Sequence, residues 1–353
     1  MNGAPDKSVT LLLQRLSQAQ GNWLLVADEN WCIANWSSIN PSNSQTITAV
    51  SNRINIAVDA QSTGVDCQFN DFDFSDLQPQ SFDGLLYRVS KERATSHHII
   101  NSAFALLKPQ GTLLLGGEKN DGIKTYVKQA GKRFDNPVNA EKQGKAYIAS
   151  IALNSSQSEP LNDKNYSQLR SVQLPDDLCL QTKPGIFGWD KIDRGSAFLI
   201  DHLEVFLSSY SQAPRSLLDL GCGYGYLALC ASKFGFERLV ATDNNAAALI
   251  AVKENLKPLS DIKWDALATD AGDAIEQQFD TILCNPPFHA GFAIDDQLAV
   301  KFLNNCKRLL APKGRALFVV NTFIPLEQKA MQYFDGIEVI ANNGAFKLIR
   351  LKK

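Results

Sequence analysis

The stretch SLLDLGCGYGYLALC (216–230) decides the fold. Its first five residues form a short apolar run typical of a buried strand, and a cluster of three glycines follows at once. Beyond the glycines, residues 227–234 are apolar and compatible with a helix. Glycines in such a turn let the backbone bend sharply and bring its N–H groups close to a ligand. The stretch therefore predicts a strand, a tight ligand-binding turn and a helix.

The sequence that follows repeats this alternation of strand and helix. Apolar runs predict strands and amphipathic runs predict helices, with Pro312 and Gly314 ending the last helix. The predicted strands are 238–243, 279–287 and 315–320, the predicted helices are 246–256 and 297–310, and GIEVIAN (336–342) with AFKLIRLKK (345–353) predicts a terminal β-hairpin. Strands separated by helices indicate an α/β fold with a mostly parallel, doubly wound sheet.

The N-terminal half contains a weaker copy of the same plan. FDGLLYRVS (82–90) is similar to FDTILCNPP (279–287), and FALLKPQGTLLLGG (104–117) is similar to KRLLAPKGRALFVV (307–320). Chance similarity between two generic α/β segments is the alternative. The two matches occur in the same order at nearly constant spacing, so we favour duplication of one domain.

The first copy lacks the residues that carry chemistry in the second. WLLVADEN (23–30) would correspond to SLLDLGCG (216–223), but it has no glycine cluster, and Arg88 stands where Asn285 stands. NSSQSEPLNDKNYS (154–167) is polar and rich in turn-forming residues, as a linker is. We therefore predict a degenerate first domain over residues 1–165 and a catalytic domain over residues 171–353.

Composition narrows the function classes. The net charge is −2, with 44% hydrophobic and 20% charged residues, which argues against a protein that holds nucleic acid by bulk electrostatics. The seven cysteines include no CxxC pair and fit no usual zinc spacing, so we expect reduced thiols and no metal. With no apolar run of membrane-spanning length and no signal peptide, we expect no membrane partner and a cytoplasmic location.

The glycine turn predicts a cofactor site. A glycine-rich turn alone is weak evidence, because dinucleotide-binding folds use a related device. Asp219 precedes Gly221, Gly223 and Gly225 in DLGCGYG, and the GxGxxG spacing is incomplete. A carboxylate at this point would repel a pyrophosphate, yet it suits the ammonium group of S-adenosylmethionine. We therefore predict S-adenosylmethionine as the cofactor.

Two further acids support this prediction. Asp243 ends the next predicted strand, where a carboxylate accepts hydrogen bonds from the ribose hydroxyls of a bound nucleotide. Asp270 is the last residue of WDALATD (264–270) and can accept from an adenine amino group. Each acid alone is more often a helix cap or a solvated loop residue. Acids at three successive strand ends favour one shared site, because ligands bind at the carboxyl edge of such sheets.

Asn285, Pro286, Pro287 and Phe288 are the predicted catalytic residues. Neither proline has an N–H, so this backbone is rigid and its carbonyls are available. The Asn285 amide oxygen and the Pro286 carbonyl can accept both protons of a planar NH₂ group and aim its lone pair at a methyl group. Phe288 offers a face for stacking on a base. The alternative is an ordinary diproline turn, which the upstream glycine motif makes less favoured.

Taken together, these motifs resemble those of a known family. DLGCGYG, Asp243 and NPPF resemble class I methyltransferases that act on amines. Four longer stretches resemble bacterial small-subunit (16S) rRNA guanine-N2 methyltransferases with two tandem domains: PGIFGWDKIDRGS (184–196), NPPFHAG (285–291), NTFIPL (321–326) and GAFKLIRL (344–351). The resemblance implies two tandem Rossmann-like methyltransferase domains, the first degenerate. Ala345 departs from it, because the family often has a basic residue there.

The resemblance also implies a substrate and further site residues. The substrate would be a guanine of 16S rRNA, presented in the assembled 30S subunit, to a monomer or weak dimer whose first domain positions RNA or is structural. Ser196, with Asp193 and Gly195, would close over the cofactor. Phe187 would stack on the flipped base or cap the cofactor, and Lys347 would contact an RNA phosphate. Ordinary packing or capping explains these residues too.

Other substrates remain open from the sequence. NPPF serves an adenine N6 amine equally well, and a guanine of 23S rRNA or a protein glutamine are further alternatives. A non-catalytic ribosome-binding protein would suit the first half but not the intact motifs of the second. His289 follows the motif directly, and we expect it to have a positional role at the substrate rather than to act as a base.

Overall fold

The computed structural model describes residues 6–32, 34–39, 44–155, 157–173, 179–287, 289–290, 293–294 and 296–353. The chain divides into two compact units, Met1–Gln168 and Leu169–Lys353. This division lies between residues 165 and 171, the bounds predicted on either side of the linker. In the described ranges no helix has the length and apolarity that crossing a bilayer requires.

The first unit is built on one seven-stranded sheet in the part of the chain that is described, with strand order β3-β2-β1-β4-β5-β7-β6. The strands are β1 (Gly21–Ala27), β2 (Gln45–Ser51), β3 (Asp66–Phe69), β4 (Phe82–Arg88), β5 (Leu107–Glu118), β6 (Glu141–Gln143) and β7 (Ala146–Ala152), and the helices are α1 (Lys7–Leu16), α2 (Ile54–Ser62), α3 (Arg93–Leu106) and α4 (Ile123–Arg133). The first five strands are parallel, and β6 and β7 are antiparallel to their neighbours. Short 3₁₀ helices span Glu29–Trp31, Trp36–Ser38 and Lys119–Asp121.

The second unit has a seven-stranded sheet with the equivalent order, β12-β11-β10-β13-β16-β18-β17, among its described residues. Its strands are β8 (Arg170–Gln173), β9 (Cys179–Thr182), β10 (Ser216–Leu220), β11 (Arg238–Asp243), β12 (Lys263–Ala268), β13 (Phe279–Cys284), β14 (His289–Ala290), β15 (Ala293–Ile294), β16 (Leu310–Asn321), β17 (Gly336–Asn342) and β18 (Phe346–Lys352), and its helices are α5 (Arg194–Asp201), α6 (Leu203–Ser208), α7 (Tyr226–Ala231), α8 (Ala246–Leu256), α9 (Asp296–Leu309) and α10 (Leu326–Ala330). A 3₁₀ helix spans Ser232–Phe234. The pairs β8-β9 and β14-β15 form separate antiparallel ribbons.

The two units confirm the predicted duplication. Helices α3 and α9 both have 14 residues, and strands β5 and β16 both have 12. The register of the β4–β5 pair shifts after Phe82, and that of the β13–β16 pair shifts after Phe279. A shared irregularity at the same point of the same strand is specific to a common plan. We call two residues equivalent when this strand pairing matches them, as it matches Phe82 with Phe279.

The predicted correspondence of the first strands was wrong by one residue. Trp23 pairs with Gly84, and Leu217 pairs with Thr281, so Trp23 is equivalent to Leu217 and not to Ser216. Apolar runs slide along each other in sequence, whereas neighbouring strands determine the register in the sheet. Leu25 is therefore equivalent to Asp219.

Three elements begin or end at residues other than the predicted ones. The predicted helix 227–234 is α-helical only to Ala231 and continues as a 3₁₀ turn that ends at Gly235, whose φ is +80°. The predicted strand 279–287 ends at Cys284, because the following prolines have no N–H for the ladder. Strand β16 begins five residues earlier than predicted, at Leu310.

The core of the second unit supports one edge of the sheet. Alternate residues of β10 and β13, such as Leu218 and Ile282, are fully buried against the apolar face of α9, including Leu303. A parallel sheet covered on both faces gives strands that are apolar throughout. Packing of these side chains against α9 therefore holds the carboxyl ends of β10 and β13 in place.

Candidate active site

The parallel strands bring the predicted residues to one edge of the sheet. Asp219 lies near the end of β10, Asp243 ends β11, and Asn285 directly follows β13. Strands β11, β10 and β13 are neighbours in that order and run parallel. Ligand sites of open α/β sheets lie at this carboxyl edge.

The glycine turn is held by backbone hydrogen bonds. The N–H groups of Gly221 and Cys222 both donate to the Thr242 carbonyl at 2.9 Å. Gly225 has a φ of +85°, and a Cβ there would lie 2.5 Å from a side-chain carbon of Val252. Both constraints require glycine at Gly225, because helix α8 packs directly against the turn.

Asp219 is a buried carboxylate with an unused oxygen. Its Oδ2 accepts from the backbone N–H of Ala228 at 2.9 Å, while its Oδ1 has no partner among the described residues. Burial, helped by the nearby Asp243, raises the pKa of Asp219 to about 7. A buried acceptor without a donor costs free energy, so the arrangement fits a cationic ligand group and does not fit a phosphate.

Asp243 is oriented by the turn. Its Oδ2 accepts from the N–H of Gly223 and its Oδ1 accepts from the N–H of Asn245, both at 2.9 Å. Each carboxylate oxygen can accept more than one hydrogen bond, so these two bonds do not prevent a ligand hydroxyl from donating to Asp243. The side chain is only partly buried, which leaves it accessible to a ligand.

Asn245 is a residue beside the site that the sequence predictions missed. Its Oδ1 caps helix α8 by accepting from the N–H of Ala247 at 3.0 Å, and its Nδ2 donates to the Gly185 carbonyl at 2.8 Å. It thereby ties the loop that carries Phe187 to the strand end at Asp243. The signal in the sequence was an asparagine directly before a strong helix former, which is an N-cap pattern.

Asp270 lies two residues beyond β12 and is already ion-paired. Its carboxylate contacts the ammonium group of Lys301 on α9, which also lies 3.6 Å from Asp273. The equivalent Asp71 of the first unit accepts from the Tyr166 hydroxyl at 2.7 Å. A contact between Asp270 and an adenine stays a prediction. The adenine amino group would have to share the Asp270 carboxylate with Lys301.

Asn285 is held by two acceptors. Its Nδ2 lies 2.8 Å from Asp193 Oδ2 and 2.8 Å from Ser196 Oγ. The carboxylate of Asp193 is only an acceptor, so the NH₂ end of the amide must face it. The Oδ1 end therefore remains as the acceptor of this side chain. Pro286 is buried and Pro287 is exposed. The predicted residue Phe288 and the side chain of His289 lie outside the described residues.

The roles predicted for three further residues can be compared with the contacts and exposure of their side chains. These residues are Ser196, Phe187 and Lys347. Ser196 contacts Asn285, a contact that the expected closure over the cofactor did not include. Phe187 is 86% exposed, so its ring is available for stacking. Lys347 is buried and its ammonium lies 2.8 Å from Glu327, so the predicted phosphate contact would first have to break this ion pair.

Comparison with known proteins agrees with this geometry. Residues 177–350 match the model of the methyltransferase small domain. These residues are similar to a methyltransferase domain of that family. The methyltransferase domain thus covers nearly the whole second unit, including the glycine turn and Asn285.

Two relatives that match along most of this chain carry the same name. The chain is 28% identical over 346 residues to "Ribosomal RNA small subunit methyltransferase C" of Pseudoalteromonas translucida, covering 95% of this chain and 96% of that protein. The protein of the same name from Shewanella pealeana is 27% identical over 271 residues, covering 76% and 77%. The resemblance predicted from the sequence motifs is confirmed.

A solved structure has the same fold over the full length. The T. thermophilus 16S rRNA N2 G1207 methyltransferase, in complex with AdoMet and guanosine, superposes with a TM-score of 0.84 at 22% sequence identity. The match covers 100% of this chain and 93% of that one. The predicted fold class, two tandem Rossmann-like methyltransferase domains, is confirmed.

Proposed function

We propose that this protein uses S-adenosylmethionine to methylate the exocyclic N2 amine of a guanine in 16S rRNA. The observation that carries the proposal is the Asn285 amide, whose NH₂ end is held inside the protein and whose oxygen is left to accept from a substrate amine. The names of the relatives support rRNA of the small subunit as the substrate class.

The residues at the sheet edge fit the cofactor. Asp219 would receive the ammonium group, directly or through water, Asp243 would accept from the ribose hydroxyls, and the turn around Gly221, Gly223 and Gly225 would lie against the cofactor. When bound, S-adenosylmethionine supplies a methyl group on a positively charged sulfur. Asp270 would complete the site at the adenine.

The protein's part in the reaction is positioning. Asn285 Oδ1 and the Pro286 carbonyl would accept the two hydrogens of the target amine, Phe288 would stack on the base, and Phe187 would cover it from the adjacent loop. Holding the amine nitrogen in line with the methyl group supplies most of the rate in such a displacement. The methylated amine becomes strongly acidic, so water takes its proton and His289 need only contribute to position.

Asp243→Ala should weaken binding of S-adenosylmethionine by roughly 1.5–3 kcal/mol, the effect of losing hydrogen bonds to a charged acceptor. Isothermal titration on the full chain measures this. Asp261→Ala is the matched control, because this exposed aspartate precedes β12 and lies at the opposite edge of the sheet. Binding of NADH in place of S-adenosylmethionine would contradict the cofactor assignment.

Cofactor affinity should depend on pH through Asp219. Its pKa is about 7 in the protein without ligand. A cationic ligand group favours the carboxylate, so binding lowers this pKa and releases a proton below pH 7. Affinity should then fall as the pH drops through 7, by at most about tenfold per pH unit. Titration at several pH values tests this, and Asp219→Asn should remove the dependence; an unchanged profile in that variant would contradict the role.

RNA from cells that lack the protein tests the function itself. Mass spectrometry of 16S and 23S fragments should show loss of one N2-methylguanosine in 16S rRNA only, restored by the wild-type gene and not by Asn285→Ala. Loss of an N6-methyladenosine, or of a 23S methylguanosine, would favour one of the alternative substrates. Unchanged rRNA with loss of a methylated glutamine would favour a protein substrate.

The finer setting of the reaction is also part of the proposal. We propose that the substrate is the assembled 30S subunit in the cytoplasm and that the enzyme acts as a monomer or weak dimer. In vitro, methyl transfer to 30S subunits should exceed transfer to naked 16S rRNA. The first unit would position RNA or serve a structural role, because Leu25, Ser51 and Arg88 are equivalent to Asp219, Asp243 and Asn285.

A further inference from the structure

Asp193 connects a helix to the catalytic amide. It is the N-cap of α5, and its Oδ2 accepts from the N–H of Ser196 at 2.8 Å. The same oxygen accepts from Asn285 Nδ2 at 2.8 Å, although the two residues are 92 positions apart. These lengths are typical of hydrogen bonds to a charged acceptor. One carboxylate oxygen thus fixes both the start of α5 and the end of β13.

The first unit keeps the same connection with different chemistry. Asp6 is the N-cap of α1 and accepts from the N–H of Ser8 at 2.7 Å. Its Oδ2 also accepts from Nε and Nη2 of Arg88, at 3.0 and 2.8 Å. Arg88 is equivalent to Asn285, so the link from the N-cap aspartate to the end of this strand belongs to the shared plan. An arginine has no acceptor, so only the second unit combines this link with a free amide oxygen.

We infer that Asp193 is a positioning residue that determines which end of the Asn285 amide faces the substrate. This rests on the proposed function. An asparagine amide can rotate, and its NH₂ end would meet a substrate amine donor to donor. With Asp193 in place, the rotated amide would instead set its oxygen against a carboxylate, acceptor to acceptor. The hydrogen bond to the carboxylate also draws charge toward Oδ1 and makes it a better acceptor.

Ser196 cannot set this orientation by itself. Its hydroxyl accepts from Asn285 Nδ2 at 2.8 Å, but a hydroxyl can also turn and donate to an amide oxygen. Only the carboxylate of Asp193 is restricted to accepting. Loss of the Asp193 contact should therefore leave both amide orientations available, even when Ser196 is intact.

Two substitutions separate positioning from helix capping. Asp193→Ser keeps an N-cap side chain, because serine caps helices well, but it is too short to reach Asn285. Asp193→Asn keeps both contacts, because the N–H of Ser196 fixes the amide oxygen of the new side chain at the helix N-terminus, where this oxygen can also accept from Asn285. In single-turnover assays with the full chain on 30S subunits, Asp193→Ser should lower the rate roughly ten- to a hundredfold, as for loss of one charged hydrogen bond. Asp193→Asn should stay within about threefold of wild type, since the contact geometry is kept.

Two controls make the inference testable. Any fall in affinity for S-adenosylmethionine should be much smaller than the fall in rate, and Asp193→Ser should have no further effect in an Asn285→Ala background. A full rate in Asp193→Ser, equal losses in the two variants, a parallel fall in cofactor affinity, or an undiminished loss in the Asn285→Ala background would each overturn the inference.

One measurement is independent of the reaction. Hydrogen exchange of the Asn285 Nδ2 group, followed by NMR, should be slow in wild type and Asp193→Asn and fast in Asp193→Ser. Equal exchange in all three proteins would overturn the inference. If wild type shows the expected exchange but methylates no rRNA, the proposed function fails while the orientation of the amide stands.

Discussion

Asn285→Ala should lower the rate of methyl transfer at least about a hundredfold and leave affinity for S-adenosylmethionine nearly unchanged, as expected for loss of one preorganised polar group. The alanine removes the oxygen that is proposed to accept from the target amine. The proposed cofactor contacts at Asp219 and Asp243 lie on β10 and β11, and the hydrogen bonds that hold these two carboxylates do not involve the Asn285 side chain. Binding and chemistry should therefore separate in this variant.

Single-turnover transfer of a labelled methyl group, with isothermal titration of the cofactor, measures both quantities. Asn304→Ala is a matched control, because Asn304 is exposed on helix α9. Asn285→Asp should also be slow, because its carboxylate would face the carboxylate of Asp193 at the distance now occupied by a hydrogen bond. A near-full single-turnover rate in Asn285→Ala would remove this residue from the mechanism.

Arg88→Met should destabilise the first unit by about 3–5 kcal/mol, the range for removing one partner of a buried ion pair. Arg88 is 5% exposed, and its guanidinium lies 2.8 Å from Asp6 and 2.7 Å from Asp121. It also donates to the Val89 carbonyl at 2.7 Å. Methionine fills similar volume but leaves the carboxylate of Asp121 buried without a cation.

Replacing the whole group should reverse the loss. In Arg88→Met combined with Asp6→Asn and Asp121→Asn, neither of the two carboxylates that contact Arg88 remains charged, and asparagine keeps the capping bond of Asp6. Hydrogen exchange by mass spectrometry on peptides of the first unit measures the local free energy of opening, and peptides of the methyltransferase domain are the internal control. Equal protection in Arg88→Met and wild type would show that the pair contributes nothing.

The same residue shows how the first unit differs from the proposed catalytic site. At the position where the methyltransferase domain has an amide oxygen, the first unit has a guanidinium that contacts two carboxylates and a backbone carbonyl. The equivalents of Asp219 and Asp243 are Leu25 and Ser51, so no acid of the cofactor site except Asp71 is kept. Buried polar groups need hydrogen-bond partners, and in the first unit Arg88 and the carboxylates beside it are partners for each other.

Local patterns determined most of the fold. The glycine turn after SLLDL, the acid at Asp243 and the prolines after Asn285 are each explained by backbone chemistry within a few residues. Alternating strands and helices then imply a parallel sheet whose carboxyl ends meet at one edge. This is why the cofactor turn and the catalytic amide were predicted to lie together without any knowledge of their contacts.

The tertiary structure decided what depends on partners far apart in the chain. The pairing of Trp23 with Gly84 corrected the correspondence of the two units, because only a neighbouring strand determines register. Two contacts join residues on separate elements. One is the ion pair between the buried Lys347 and Glu327, and the other is the hydrogen bond from Asn285 to Asp193. A sequence shows which groups can donate or accept, but packing alone determines which of them meet.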